Sequence, residues 1–443
     1  MRVIYPEDYG AVADNATDST AGLQGALDAA VDGSVIELDS GSYKINGLLT
    51  LPTKSVLVRG GGFVNNVNSA FGNANYTSKI RGTVIRQTST PANGIAHDQN
   101  MEGNTTANWV LRDFAIVGPG SGCTTGLVMG SATVSAAYLK AYNVGIYNFS
   151  TGIDLKKSNS NQFYDMDIRG CATGINSAYT TEEIAFYSAN LGFNTTGLKV
   201  TRGSGLSFYA PIFQNHTTAI WIAPNTTITK WFLFDSAFFE GNTVNALFDS
   251  RAYTISHVAF RSARGAGAGD ITFLTSPAGV DFFTFTNCDF SSTALTIPST
   301  SYGMKIDGSY FSSVTSSNNG DYHASVSRSF TNGAGGGPEN HVSTMKTLTY
   351  ASSIQLKWMG GESQRVTLTG NVTLTVPDDA PTGAKLTLYL LQDATGGREV
   401  AWSGFTYHAW SDVGNTANRM TSITMQKTAS GQWTQAGAQS PYL

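Results

Sequence analysis

Through the middle of the chain, apolar residues recur in short alternating runs. NWVLRDFAIVG, NQFYDMDIRGCATGI, IAFYSANLGFNTTGL and LSFYAPIFQNHTTAI fall one under another with little adjustment. Each has an apolar residue, a polar one that is often Asp or Asn, and a second apolar residue a few positions on. The second apolar position reads Ile116, Ile146, Ile168, Leu191, Phe213, Phe238, Phe260, Phe290 and Phe311. Most steps between them are about 22 to 25 residues, the period of a solenoid coil. Two longer steps, Ile116 to Ile146 and Phe260 to Phe290, predict insertions. Alternation over four to six residues followed by a turn is strand patterning, not the i, i+3, i+4 spacing of helices. A regular leucine framework is missing, so leucine-rich repeats do not fit. A right-handed parallel β-helix does: nine or ten coils about 4.8 Å apart predict a rod roughly 45 Å long.

Against this strand pattern, one helix stands out near the chain start. An Asp-, Asn- and Thr-rich turn runs into STAGLQGALDAA. An open β-helix end exposes unpaired backbone groups and an apolar core. An amphipathic helix with Leu23, Ala26, Leu27 and Ala30 on one side can cover it, with Asp18 or Ser19 as N-cap.

YGAVADNATDSTAGLQGALDAA followed by GSVIELDSGSYKI resembles the N-terminal signature of the pectate-lyase-like superfamily. The match spans residues 5–45, and with the coils it extends to about residue 313. The resemblance implies a right-handed β-helix, usually acting on polysaccharide. The superfamily holds polygalacturonases, lyases, epimerases and phage tailspikes, so fold alone does not select the chemistry.

The coil pattern fades into a Gly-, Ser- and Asn-rich stretch that reads as a neck. From about Lys346, alternation resumes in VTLTGNVTLTVP, LTLYLLQDATGGREVAW and GQWTQAG, predicting a small antiparallel β-sandwich. Residues 346–439 resemble a domain recurrent at the C-terminus of phage tail fibres and tailspikes. That resemblance implies a homotrimer, partner proteins of the phage tail or baseplate, and a virion location with assembly in the host cytoplasm. The expected organisation is an N-terminal cap and first coil (1–50), a parallel β-helix (51–315), a neck (316–345) and the C-terminal β-sandwich (346–443), for trimerisation or glycan binding. No segment reads as a virion anchor at the N-terminus, so attachment would use a preceding segment or another protein.

Bulk properties narrow the partners. Net charge is −4 with no basic run, which gives no footprint for nucleic acid. The chain start lacks the apolar stretch of a secretory signal, and no run is long enough for a membrane-crossing helix. Cys123, Cys171 and Cys288 have no metal spacing and read as small buried residues. The Asn-x-Ser/Thr triplets at Asn104, Asn194 and Asn371 read as chance. The six histidines, His97, His216, His257, His323, His341 and His408, show no metal spacing, and no cofactor is implied. VLVRGGGFVNN lacks the GKS/T ending of a phosphate loop, and no helix follows it.

Aligned coils sort the polar residues into columns. Asp113, Asn143, Asp165, Ser188, Asp235 and Asn287 fall where the strand bends, and Asp113 and Asp165 read as structural there. Asp235 is less clear, because its coil carries an extra residue. One place earlier lie Arg112, Tyr142, Tyr164, Tyr187, Tyr209 and Phe234. Alternation turns this column outward. Such a ladder suits sugar stacking, a buried trimer seam, or core packing if the face is misassigned. Two places beyond the bend lie Ala115, Gly145, Asp167, Asn190, Ile212, Ala237, Ala259 and Asp289, with Arg169 on the same face. Glycosidases need two carboxyls, about 5 Å apart for retention or about 6.5–9.5 Å for inversion. Asp167, Glu182, Glu183, Asp235 and Glu240 are the catalytic candidates, each of which also fits a solvated surface acid. Tyr142, Tyr164, Tyr187, Tyr209 and Arg169 are the candidate binders of a bacterial surface polysaccharide. A lyase would instead use Arg169, Lys156, Lys157 or Arg202. A non-catalytic receptor-binding fibre, or a bacterial enzyme with a C-terminal carbohydrate-binding module, remains a further alternative.

Overall fold

The computed structural model describes residues 1–65, 80–90, 92–97, 108–120, 123–227, 229–267, 269–274, 280–297, 301–302, 304–316, 324–327, 330–331, 346–356, 363–377, 385–404, 416–428 and 432–435. His323, His341, His408, Asn104 and most of the expected neck lie outside them. The chain is all-β, with a parallel β-solenoid of about 12 turns, more than the nine or ten predicted. The additional turns include early coils such as those of Ser34–Glu37 and Val56–Arg59, which precede the first aligned repeat. Two compact units emerge, the first holding Met1–Thr296 with two short later pieces and the second most of the remainder.

In the first unit each coil contributes a strand to three parallel sheets. The first sheet runs from Val3–Ile4 through Val280–Thr286, the second from Asp14–Asp18 through Asp289–Ile297, and the third from Leu49–Thr50 through Asp270–Leu274. Strands lie in register coil on coil, so like side chains stack. Phe163, Phe186, Phe208, Phe234, Phe260 and Phe285 form one buried column with neighbouring ring centroids 4.5 to 5.4 Å apart. Ile116, Ile146, Ile168, Leu191, Phe213 and Phe239 form the facing column.

The register corrects the sequence alignment in its later coils. Phe239, not Phe238, is the buried residue beside Phe213, and Phe260 belongs to the first sheet. The third outward column therefore continues through Phe238 and Arg264, not Ala237 and Ala259. The predicted insertion before Phe290 vanishes: that coil takes an ordinary step of about 25 residues from Gly265. An alternating pattern looks nearly the same after a slip, yet a one-residue slip exchanges inside and outside.

The corner between the first and second sheets is built from residues with positive φ. They include Asp113 (60°), Asn143 (50°), Asp165 (51°), Ser188 (53°), Ala210 (49°), Ser236 (54°) and Asn287 (53°). This region costs an L-residue roughly 1–2 kcal/mol and is most tolerant of Asn and Asp, which accounts for the Asx column. Asn143 also donates to the Asp113 carboxylate at 2.8 Å. At the next corner, a buried polar column ties coil to coil. Asn194 accepts from the Cys171 N–H and donates to the Ile168 carbonyl, and Asn242 repeats this for the His216 N–H and the Phe213 carbonyl. The Asn194 side chain is therefore consumed internally and 2% exposed, which agrees with the chance reading of its triplet. All three cysteines are free and buried, and burial pushes Cys171 up to about 12 and Cys288 to about 11.

The helix, Thr20–Asp28, caps the first coil as the sequence predicts. Leu23, Ala26, Leu27 and Ala30 are buried. Ser19 is the N-cap residue, but its hydroxyl is spent on the Val12 backbone. Asp18 supplies the acceptor instead, at 3.0 Å from the Thr20 N–H, and the bonds it accepts from the Thr20 hydroxyl and then this N–H lower its pKa. Gln24 then completes the exposed strand: its carboxamide accepts from the Thr50 N–H (2.9 Å) and donates to the Thr50 carbonyl (3.1 Å). One side chain stands in for the coil that is not there. Gly22 is the close approach that permits this, since a Cβ would lie 2.3 Å from the Ala11 nitrogen. Gly22→Ala will therefore destabilise the protein by about 1–3 kcal/mol. The sign opposes the roughly 1 kcal/mol by which Ala favours an isolated helix. A rise in the denaturation midpoint would show that the helix is not pressed against that backbone.

Among the described residues from Lys346 onward, the second unit forms two sheets. One is Lys346–Leu348, Ser363–Leu368, Lys385–Gln392, Met420–Lys427 and Trp433–Gln435; the other is Ser353–Gln355, Val372–Thr375 and Val400–Ser403. Val366, Leu368, Leu374, Leu388, Ile423 and Trp433 lie in the core between them. The pairing is mixed rather than antiparallel. The first three strands of the larger sheet and all of the smaller one pair in parallel, and only the last two strands turn back. The chain alternates between the sheets, so consecutive strands never pair until Met420–Lys427. Alternation marks strands but carries no information on their direction.

Candidate functional site

The outward column of the first sheet is the clearest candidate surface. Tyr142, Tyr164, Tyr187 and Tyr209 lie in register, each half-buried, with centroids 4.6, 4.7 and 4.9 Å apart and planes within 9° of parallel. Their faces cover one another. A sugar therefore cannot stack on the inner two rings, and the column presents ring edges and phenolic hydroxyls. Tyr164 donates to Gln162 at 3.1 Å, and burial beside its neighbours raises its pKa.

Asp235 ends this comb. It pairs in register with Tyr209 on one side and Arg261 on the other. It does not occupy the bend, which falls to Ser236, and the buried position is Phe234. The extra residue in that coil causes the shift. Its Oδ1 accepts from Ser236 at 3.1 Å.

On the second sheet, Asp167 is held by two groups. Tyr147, fully buried, donates to Oδ2 at 2.7 Å, and Arg169 Nε meets Oδ1 at 2.5 Å. The pair is largely covered, with side-chain exposures of 17% and 14%. Arg169 is thus anchored beside Asp167. Asn190 follows Asp167 in register, and its Oδ1 is buried without a hydrogen-bond partner among the described residues. Glu240 is exposed and accepts from Gln214 at 2.8 Å. It stands three coils from Asp167 and in the neighbouring column, about 14 Å along the axis.

Glu182 and Glu183 lie at the third corner, before the first sheet. Both are exposed, and the Ser160 hydroxyl lies 3.0 Å from Glu183 Oε2. The five acids are therefore spread over three places. Apart from the sequence neighbours Glu182 and Glu183, no two stand one or two coils apart in a column.

The same corner carries, in line with Glu183, a column that the sequence does not reveal. Tyr138, Ser160, Glu183, Gly205, Trp231, His257 and Phe282 align from coil to coil, and all have positive φ. Glycine suits that backbone best, yet three successive coils carry rings. Trp231 stacks on His257 at 4.0 Å, and His257 on Phe282 at 4.8 Å. Trp231 is 53% exposed and Phe282 44%. The ring before the strand in TKWFLFD, TISHVAFR and VDFFTFT was the available signal, hidden by the register slip. On the third sheet, Lys199 Nζ lies 4.7 Å from the Trp221 ring centroid, a cation–π contact.

Residues 351–433 match the family model described as "Putative phage tail fibre C-terminal domain". No curated protein matches the chain. Among solved structures it is similar to the Agl-KA catalytic domain, at 13% identity and TM-score 0.51 over 90% of this chain and 68% of that one. ORF18 of Geobacillus virus E2 gives 12% identity and TM-score 0.42 over 96% and 71%. The enzymatically active domain of bacteriophage CBA120 tailspike protein 2 gives 12% and 0.40 over 96% and 59%. At such identities the likeness concerns the fold, and it is the Agl-KA superposition that carries it. The chain thus has the fold of a right-handed parallel β-helix, and its residues 351–433 match the phage tail fibre C-terminal domain family.

Proposed function

We propose that the protein is a phage tail component that binds a bacterial surface polysaccharide, whether capsule, exopolysaccharide or O-antigen, along its β-helix. The carrying observation is the tyrosine comb: four phenols at coil spacing, ended by Asp235 and Arg261. A row of hydroxyls followed by a carboxylate and a guanidinium on successive coils suits the repeating hydroxyls of a glycan. The tail-fibre domain match supports the virion setting. In this reading the protein assembles as a homotrimer in the host cytoplasm, joins tail or baseplate proteins, and acts outside the host cell.

Hydrolysis is the second reading, favoured by Asp167. Tyr147 and Arg169 orient its carboxylate as a base or nucleophile requires. Among the described residues no second candidate acid lies at glycosidase distance from Asp167 in register, so in this reading a neighbouring subunit would supply it.

Purified protein incubated with capsular and lipopolysaccharide preparations from a bacterial panel separates these readings. Chain length, new reducing ends and the ultraviolet absorbance of unsaturated uronic acids are followed together. Binding without shortening supports recognition alone. Shortening with reducing ends and no absorbance establishes hydrolysis, to be abolished by Asp167→Asn, whereas absorbance establishes a lyase. On a bound glycan, Tyr187→Phe should preserve the ring stack and weaken binding up to about tenfold. Unchanged affinity across all four Tyr→Phe variants would remove the comb from the site.

A further inference from the structure

We propose that Trp231, Gly205 and Glu183 form a slot for a single pyranose ring, a deepening that rests on the glycan-binding reading above. Three rings, Trp231, His257 and Phe282, stack at one corner of successive coils. The stack ends at Trp231, because the next position in register is Gly205. With no side chain there, one face of the indole has no stacking neighbour from that coil, which fits its 53% exposure. One coil further stands Glu183. Trp231 and Glu183 are thus two strand spacings apart, about 9.6 Å, with Gly205 as the floor.

That gap fits one more ring. A pyranose above Gly205 would continue the stack at the spacing it already has, its apolar C–H face against the indole. The rim is polar in the way a sugar needs. Glu183 and Glu182 lie at the far end, Glu183 Oε2 accepting from Ser160 of the coil beyond and leaving Oε1 for a sugar hydroxyl, and Ser204 and Lys230 flank the floor and the platform, in register with each other. An aromatic ligand would satisfy the indole but leave these groups without hydroxyls to bond. Gly205 cannot readily fill the slot itself. Its φ is 70°, and a Cβ would lie 2.8 Å from the Glu183 nitrogen, so a bound ring lies outward of that backbone, level with the indole. Nor does the backbone account for the rings, since the corner favours glycine at all seven positions.

The test uses the full chain labelled with 5-fluorotryptophan, with the Trp231 resonance assigned by its loss in Trp231→Phe. The probes are the methyl glycosides of glucose, galactose, mannose and N-acetylglucosamine, at concentrations high enough for weak binding. At least one should shift the Trp231 signal saturably while leaving the Trp221 signal in place, and Glu183→Gln should weaken that response. A Trp231 resonance indifferent to every glycoside overturns the slot. On any polysaccharide that the protein binds, Trp231→Ala should lower affinity about tenfold, and undiminished affinity overturns the slot while leaving polysaccharide recognition intact. If glycosides shift Trp231 but no polysaccharide in the panel binds, the slot stands and the wider reading falls.

Discussion

Phe234→Ala will lower the stability of the β-helix by about 3–5 kcal/mol, at the upper end of core truncations. Phe234 has no exposed surface and lies between Phe208 (5.4 Å) and Phe260 (5.0 Å) in a column of stacked rings. In many cores, neighbours lean into a new cavity and recover part of the loss. Here the rings on either side are fixed by the coil spacing, which hydrogen bonding between strands holds near 4.8 Å. They cannot close the gap without shearing the sheet. Phe213 meets the same ring edge-on at 6.4 Å, and that contact is lost as well. Phe234→Leu keeps most of the volume and should lose far less. Because each coil contacts chiefly its neighbours, the damage should centre on the adjacent coils and need not spread along the solenoid. Hydrogen exchange can locate it while denaturant unfolding gives its size. A loss under about 1 kcal/mol would falsify the rigid-column account.

The second large effect is a dependence of stability on pH set by His216. This residue takes the place of an asparagine in the buried corner column, between Asn194 and Asn242. Its Nε2 lies 3.0 Å from the Leu191 carbonyl, and its Nδ1 faces the Asn194 backbone, within 3.2 Å of the N–H. A neutral ring with the proton on Nε2 satisfies both the Leu191 carbonyl and the Asn194 N–H. Burial lowers its pKa to about 4, with the two backbone carbonyls opposing only in part. The unfolded chain titrates near 6.5, so between those values the unfolded state binds the proton and the folded state does not. The stabilisation is therefore complete above about pH 6.5 and is lost as pH falls towards 4, by on the order of 3 kcal/mol. The lowered carboxylates, such as Asp18, act only below this window. His216→Asn restores the side chain used on either side and should flatten the curve between pH 6.5 and 4 without lowering stability at pH 7.5. Denaturation midpoints across that range decide it. Parallel curves for the two proteins would place the titration elsewhere.

How much of this was legible without coordinates depends on what each pattern encodes. Tyr142, Tyr164, Tyr187 and Tyr209 were aligned correctly because their coils are of nearly equal length. Counting from the apolar residues then places them outside. Asp235 was misplaced by the first coil that broke the count. Asp167 reads in the sequence only as one of five candidate acids, and its bond from Tyr147, twenty residues away, is a matter of coil-on-coil packing. The tyrosines were legible as a ladder but not as a stack, since a column fixes ring spacing and leaves the torsion that turns faces together undetermined. Trp231, His257 and Phe282 are not legible as a group, because they occupy a corner and break the strand alternation.

The sequence by itself determined the β-helix, its helical cap, the outward tyrosine column and the strands of the C-terminal unit. Each is a local matter: a period of two, a coil-length repeat, or an amphipathic turn of helix. The tertiary structure decided the register of the later coils, the parallel pairing in the C-terminal unit, the bonding of Asp167 and the gap beside Trp231. These depend on which residues lie side by side in successive coils, and a single extra residue shifts that while leaving the local pattern almost unchanged.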